Sequence, residues 1–261
     1  MTHQEHQSEP KVLNRRSLIR DHRRLAGLLR PGMTVLDVGC GTGAITVGIA
    51  HAVGPTGHVI GVDRDSGLLE LAKKQHSEIP NLSFEQKDAL SLPFQNRFDV
   101  VTAARTLQWI AQAGEAIRAM KAAIRPGGQL VVLDYNHANN SWEPDPPPVF
   151  TRFYQAFLGW RAANHWDNRM AEHLPELFRA AGIPSVKISE EDEIVERGDP
   201  GFPPAVEIWT EVIRGVGPRM VAAEFLTEPD RVDAEEAYRD WTGHGLRRQI
   251  LELRTVIGNV A

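Results

Sequence analysis

Val35-Leu36-Asp37-Val38-Gly39-Cys40-Gly41-Thr42-Gly43 is the stretch that decides how this chain is read. Met33 to Val38 is an apolar, partly β-branched run suited to a buried strand, and it ends at a cluster of glycines. Beyond them, Ala44, Ile45, Val47, Gly48, Ile49 and Ala50 read as a helix with an apolar face. A strand, a tight turn and a helix N-terminus make a cradle. Glycine lets the backbone come close to a ligand, and the first helical N–H groups point outward unpaired.

Downstream of the cradle, Gly54-Pro55-Thr56-Gly57 is a turn and His58 to Asp63 a second strand ending in an acid. Asp63 lies about 20 residues past the glycines, the offset at which a carboxylate can accept both hydroxyls of a ribose. Ser66 to Lys74 reads as a helix, and Leu82 to Asp88 as a third strand that again ends in an acid, followed by Ala89 and Leu92-Pro93-Phe94. Phe98 to Ala103 is a fourth strand. Glu115 to Ile124 is a helix stopped by Arg125-Pro126-Gly127-Gly128, and Gln129 to Tyr135 is a fifth strand. This alternation predicts a parallel sheet with helices on both faces, whose ligands sit at the carboxyl ends of the strands. Gly39, Asp63, Asp88, Arg105 and Tyr135 would lie along that edge.

Upstream, residues 1–10 read as a flexible tail and Lys11 to Leu29 as a basic helix with Leu18, Ile19, Leu25, Leu28 and Leu29 on its apolar positions. Its arginines (Arg15, Arg16, Arg20, Arg23, Arg24 and, just beyond, Arg30) suit a solvated face better than a nucleic-acid arm, and one of them could reach a ligand carboxylate. After Asn136 the pattern changes. A proline-rich stretch to Pro148 leads into an aromatic helix, Val149 to Ala163, and a second helix follows from Met170 to Ala181. Val186 to Val195 reads as a strand, Pro203 to Val221 and Asp233 to His244 as helices, and Arg248 to Val260 as a closing strand. The expected organisation is a tail and basic helix (1–30), a nucleotide-binding core (31–136), an aromatic helical cap (137–185) and a C-terminal part that completes the sheet (186–261).

Composition narrows the partners. The chain has 261 residues with a net charge of −5, so no global basic field attracts nucleic acid or anionic membrane. Cys40 is the single cysteine, which excludes an intrachain disulfide and a zinc cluster, and no metal is expected. No apolar run approaches the length of a membrane span, and the first ten residues are polar rather than signal-like, so the chain reads as cytoplasmic.

Taken literally, Gly39-Cys40-Gly41-Thr42-Gly43-Ala44 satisfies the dinucleotide fingerprint and would admit NAD. Asp37 argues otherwise: a carboxylate two residues before the glycines repels a pyrophosphate and suits a ligand bearing an ammonium or sulfonium. Asp88 adds an acid suited to an adenine amino group.

Val35 to Gly43, Gly61-Val62-Asp63, Lys87-Asp88-Ala89 with Leu92-Pro93-Phe94, and Pro126-Gly127-Gly128 together resemble the successive motifs of class I S-adenosylmethionine-dependent methyltransferases. The similarity covers roughly residues 12–136, and Leu107-Gln108-Trp109 is similar to the small-molecule members of that class. The resemblance implies an α/β, Rossmann-like, seven-stranded and mostly parallel sheet with an antiparallel last strand, to which an α-helical cap is added. It implies S-adenosylmethionine as cofactor, with Gly39 and Gly41 near its methionine part and Asp37 steadying the loop, while Gly43 belongs to the same motif. Asp63 would hold the ribose, Arg64 would sit beside the adenine, and Asp88 and Ala89 would contact the adenine edge. Ala104 or Arg105 would sit near the methionine amino group, although Arg105 departs from the small residues expected there.

For the methyl acceptor, Tyr135 and His137 follow the fifth strand at the edge where the transferred methyl would emerge, and His137 is the candidate base. Trp142, amid prolines, and Trp160, on the aromatic helix, are the candidate lid and roof. The expectation is methyl transfer to a small, partly apolar acceptor held under a helical cap, with neither nucleic acid nor membrane as partner. Two alternatives stay open: an NAD-dependent oxidoreductase, and a non-catalytic regulator that binds S-adenosylmethionine. The oligomeric state is not legible.

Overall fold

Strands of the central sheet carry apolar side chains on both sides because both sides are covered. The computed structural model describes residues 10–261, so the tail expected over residues 1–10 lies, but for Pro10, outside the described residues. In chain order the first half runs α1 (Pro10–Asn14), α2 (Leu18–Asp21), α3 (Arg23–Leu28), β1 (Thr34–Val38), α4 (Thr46–Val53), β2 (His58–Asp63), α5 (Ser66–Gln75), β3 (Leu82–Gln86), β4 (Phe98–Ala104), α6 (Ala113–Ala123) and β5 (Ile124–Tyr135). The second half runs β6 (Ser141–Glu143), α7 (Pro148–Ala163), α8 (Met170–Ala180), β7 (Val186–Glu190), β8 (Glu193–Glu196), α9 (Phe202–Gly215), α10 (Gly217–Ala222), α11 (Glu228–His244), β9 (Arg248–Leu251) and β10 (Leu253–Asn259).

The seven-stranded sheet has the order β3-β2-β1-β4-β5-β10-β7. The first five strands are mutually parallel, and β10 runs antiparallel to both of its neighbours. The fold is therefore α/β and Rossmann-like. Period-two alternation sorts its core. Val35, Val59, Val100 and Val131 face a layer built on Leu18, Leu25, Ile49 and Val53, whereas Leu36, Ile60, Val101 and Val132 face one built on Ile117, Met120, Leu174 and Phe178.

Beside this frame, α7, α9, α10 and α11 share an aromatic core, with Phe150, Phe157, Trp160, Trp209 and Tyr238 buried. A three-stranded antiparallel sheet, β6-β9-β8, lies against them. By contrast, Met170, Leu174 and Phe178 of α8 join the core of the large sheet, not the aromatic one.

Four expected elements are divided, one of them the run Pro203 to Val221, which breaks at Val216 into α9 and α10. The run Val186 to Val195 turns at Glu191-Asp192, placing β7 in the large sheet and β8 in the small one, and Arg248 to Val260 divides likewise at Glu252. The basic helix is broken between Arg15 and Ser17 and again at His22, which leaves Ile19 72% exposed rather than buried. His22 instead goes inward, its Nε2 2.9 Å from Thr102 Oγ1, and the Thr102 hydroxyl donates to Val131 O at 2.8 Å. The arginines of this segment are mostly tied to the rest of the chain: Arg15 pairs with Glu207 and Glu211 at 2.9 and 3.0 Å, and Arg23 and Arg24 both meet Glu191.

Candidate functional site

A cavity of about 430 Å³ opens at the carboxyl ends of β1, β2 and β4. The loop after β1 is pinned by Gly39 N and Cys40 N donating to Val62 O at 2.8 and 3.1 Å. Gly39 has φ 76°, and a Cβ there would sit 2.3 Å from the Thr106 side chain. Gly41 has φ 55°, and a Cβ there would meet Leu13 at 2.8 Å. At Gly39 only glycine fits both the conformation and the space; at Gly41 it is the positive φ that calls for glycine, since the Leu13 methyl can turn aside.

Asp63 closes the β2 end of the cavity. One of its oxygens accepts from Gly41 N at 2.8 Å and the other from Asp65 N at 3.0 Å, so the carboxylate is oriented by backbone while each oxygen keeps further lone pairs. Arg64, Asp88, Ala89 and Leu90 line the same space, with Asp88 held in a turn by Leu90 N at 2.9 Å. Gly39, Gly41, Asp63, Arg64, Asp88, Ala89 and Arg105 are thus brought together around one cavity.

Asp37 and Gly43 are not among the residues that line it. Asp37 is buried beneath the loop, where the Thr46 hydroxyl donates to it at 2.7 Å; burial, with Asp63 nearby, raises its carboxyl to about 6. Gly43 turns toward Phe84 and His76, with its potential Cβ position 2.6 Å from the Phe84 ring.

Arg105 is buried at φ 57°, an unusual conformation for a side chain of its size. Its guanidinium donates to Tyr135 Oη and Asp21 O, both at 3.0 Å, and pairs with the Glu193 carboxylate. Burial alone would lower its pKa, but Tyr135, Glu193 and Asp21 more than offset that and hold it above the usual arginine range. The side chain therefore clamps the ends of β4 and β5, the start of β8 and the N-terminal segment. Arg16 lines the cavity nearby, and the structure records no hydrogen bond from its guanidinium among the described residues.

A smaller cavity of about 110 Å³ shares Leu13, Arg16, Arg105 and Trp109 with the larger one. Tyr135, His137, Phe157 and Trp209 form much of its wall. Tyr135 stacks on His137 with ring centres 5.1 Å apart, and its hydroxyl is already engaged by Arg105 and Glu193. His137 Nε2 lies 2.5 Å from Gln108 Oε1, while Gln108 Nε2 donates to Arg105 O at 3.4 Å and Gln108 N to Asp134 at 3.1 Å. That arrangement places the proton on His137 Nε2 and leaves Nδ1 as a bare acceptor. Burial, with buried Arg161 near, drives the imidazole well below the usual histidine pKa, so it is neutral. Behind it, Arg161 donates to Gln108 O at 3.0 Å and lies 4.1 Å from the centre of the Trp109 ring.

Trp142 and Trp160 line neither cavity. Trp160 is fully buried against Trp166 and Phe157, and Trp142 packs on Tyr154 and Phe150 while donating to Gln249 Oε1 at 3.0 Å. On α7, Trp160 is core, whereas Phe157 reaches the smaller cavity. The sequence reading missed Arg16 among its neighbours, Leu13, and Trp209 on α9, because their place depends on contacts across the whole chain. Gln108 and Trp109 carried a signal, since they lie in the segment similar to small-molecule methyltransferases.

A profile of the methyltransferase domain family matches residues 29–177. The chain belongs to the class I S-adenosylmethionine-dependent methyltransferases. It is an enzyme of that group, with S-adenosylmethionine as cofactor, and the nicotinamide and non-catalytic readings are left without support. The demethylmenaquinone methyltransferase of Staphylococcus aureus is 29% identical over 172 residues, covering 61% of this chain and 71% of the relative. Among solved structures, Haemonchus contortus phosphoethanolamine N-methyltransferase 2, in complex with phosphomonomethylethanolamine and S-adenosylhomocysteine, superposes with a TM-score of 0.58 at 15% identity. The match covers 93% of this chain and about half, 52%, of that one. YcgJ of Bacillus subtilis gives 0.58 at 19% identity, covering 92% of this chain and 99% of the other. At these identities the two structures speak for the fold. No described helix is long and apolar enough to cross a membrane.

Proposed function

We propose that this methyltransferase binds S-adenosylmethionine in the larger cavity and methylates a small, partly apolar acceptor held in the smaller one, acting in the cytoplasm. The observation that carries this reading is that the two cavities meet, with Leu13, Arg16, Arg105 and Trp109 common to both walls. The larger one has the donor set the cofactor needs. Asp63 would offer free lone pairs to ribose hydroxyls, Asp88 and Ala89 would meet the adenine edge, and Arg16 would offer a cation to the methionine carboxylate. When bound, the cofactor supplies a methyl group made electrophilic by its sulfonium.

The protein's own part is to hold the acceptor in line and exclude water, which can supply most of the acceleration for a displacement of this kind. Aromatic walls from Trp109, Tyr135, Phe157 and Trp209 suit an apolar acceptor, and His137 Nδ1 is the acceptor-side base.

Calorimetric titration with S-adenosylmethionine, S-adenosylhomocysteine and NAD on the wild type and Asp63→Ala tests the cofactor site. Two lost hydrogen bonds to a carboxylate, about 1.5 kcal/mol each, weaken binding of the first two ligands roughly a hundredfold. Binding that ignores the substitution, or binding of NAD alone, overturns the assignment.

A further inference from the structure

Arg161 stands on α7, fully buried, and lines neither cavity. Its recorded acceptors are all neutral. Asn168 Oδ1 accepts from Nε at 2.7 Å, and Gln108 O and Asp167 O accept from Nη2 at 3.0 and 3.3 Å. Asp134, an acid close enough to act on its charge, is committed to Gln108 N and Tyr135 N. Nη1 is buried with no partner among the described residues. Burial pushes the guanidinium down to about 9, so it stays charged at neutral pH. A buried charge with no carboxylate against it costs several kcal/mol, a penalty that an apolar side chain of similar length would not carry.

What this guanidinium touches is the wall at which the cavities meet. Its carbon lies 4.1 Å over the Trp109 ring and 5.5 Å over the ring of Phe157, one helical turn back on α7. Trp109 lines both cavities, and Gln108 and Phe157 line the smaller one. Gln108 is held at both ends of its backbone, its N–H by Asp134 at 3.1 Å and its carbonyl by Arg161. The guanidinium is steadied in turn by the connection from α7 to α8, where Asn168 Nδ2 donates to Leu158 O at 2.9 Å and Asn168 O accepts from Ala138 N at 3.1 Å. A planar, delocalised fork stacks on an indole and hydrogen-bonds a carbonyl at the same time, whereas an ammonium on a flexible stem fixes no plane.

We infer that Arg161 is a positioning residue of the methyl transfer: from outside both cavities it fixes the plane of Trp109 and the backbone of Gln108, and through them the line along which acceptor and methyl group meet. The inference rests on the proposed placement of cofactor and acceptor in the two cavities, and adds a residue that touches neither. An in-line displacement needs its reacting atoms about 3–3.5 Å apart and aligned, and a displacement of about 1 Å in what holds them can slow it roughly a hundredfold. The Trp109 side chain turns about two bonds, and the stack removes that freedom where the two ligands come together. Arg161 handles neither the transferred group nor a proton of the acceptor.

Full-length protein labelled with fluorotryptophan gives a fluorine NMR line for each of its six tryptophans, and Trp109→Phe and Trp241→Phe identify two of them. With S-adenosylhomocysteine bound, the wild type is expected to show one narrow Trp109 line. In Arg161→Met that line shifts and broadens about twofold or more, while the Trp241 line, from α11 in the aromatic core, stays in place. Toluene, a single apolar ring, probes the smaller cavity, whose 110 Å³ approaches the volume of about 150 Å³ in which a buried apolar cavity takes up benzene. Its binding to the protein loaded with S-adenosylhomocysteine, followed by saturation-transfer NMR, is expected to weaken about tenfold in Arg161→Met. In Arg161→Lys, which keeps the charge and loses the fork, it weakens about threefold or more. A residue that only packs would leave the Trp109 line and toluene binding alone in the folded protein, so an unchanged line, or toluene affinity within about twofold of the wild type in either variant, overturns the inference. Arg161→Lys decides by itself if Arg161→Met does not fold. Toluene that fails to bind the wild type overturns the placement of the acceptor and this inference with it, and S-adenosylhomocysteine that fails to bind overturns the cofactor assignment on which both rest.

Discussion

Arg105→Met removes the guanidinium that joins four parts of the chain while keeping a straight side chain of similar reach. The lost contacts are hydrogen bonds to Tyr135 Oη and Asp21 O, both at 3.0 Å, and the ion pair with Glu193, whose side chain is 36% exposed. Removing one member of a buried pair costs about 3–5 kcal/mol. Partial solvation of Glu193 favours the lower half of that range, since water can take over part of the pairing. The left-handed backbone conformation at Arg105, worth about 1–2 kcal/mol of strain, persists with Met and so offers no relief. The expected loss is about 3 kcal/mol. For a chain of this size the urea dependence is about 3 kcal/mol per molar, which places the unfolding midpoint about 1 M lower. Equilibrium urea unfolding at neutral pH, followed by circular dichroism, measures it. A midpoint within about 0.3 M of the wild type would falsify the reasoning, by showing that desolvation of the guanidinium cancels what its contacts contribute.

Acid sensitivity follows from buried groups of opposite kind. His22 is lowered to about 3, so it contributes stability that is complete above pH ~6.5 and is lost as pH falls toward 3. Asp37 and Asp134 are each raised to about 6, so their contribution is complete below the ordinary carboxylate range and is lost as pH rises through 6. Because His137 is also held neutral, these effects oppose one another between pH 6 and 4, and the wild-type urea midpoint should be nearly flat there. His22→Gln removes one opposing proton, and its unfolding free energy from urea titration should rise on acidification by about 1.4 kcal/mol per pH unit; a flat profile in the variant counts against the assignment. Trp160→Ala should destabilise the chain by about 3–5 kcal/mol while leaving the affinity for S-adenosylhomocysteine unchanged, as a core residue outside both cavities requires. Arg16→Met should weaken S-adenosylhomocysteine binding about tenfold and leave the affinity for 5′-methylthioadenosine, which lacks the carboxylate, unaltered.

β1, β2 and β4 were legible because each is a short apolar run followed by turn residues, and because sequential βα units leave few ways to order a parallel sheet; β5, at twelve residues, begins at Ile124, ahead of the Pro126-Gly127-Gly128 expected to separate helix from strand. The glycine loop and Asp63 were legible for the same reason: their positions are fixed by local turns. Trp160 was misplaced because an aromatic at helical spacing looks the same whether it faces a ligand or a core, and Trp142 because its proline-rich surroundings do not show that it lies in β6, packed on Tyr154 and Phe150. The division of the last strand at Glu252 left no local mark, since Arg248 to Leu251 and Leu253 to Asn259 have equal strand character. The second cavity draws on Leu13, His137, Trp209 and Leu251, which are brought together only by the finished fold.

The two sheets are joined where β5 leads into β6, β7 into β8 and β9 into β10, and the last two crossings are stitched to each other by Glu191 N to Leu253 O at 2.9 Å and Leu253 N to Asp192 Oδ1 at 3.0 Å. A layer attached through one loop can swing; a layer attached through two adjacent, mutually hydrogen-bonded strands resists rotation like a plate on a double hinge pin. The small sheet is thus held at a fixed height against the large one. On the proposed placement of the acceptor in the smaller cavity, size selection among acceptors belongs to that rigid height.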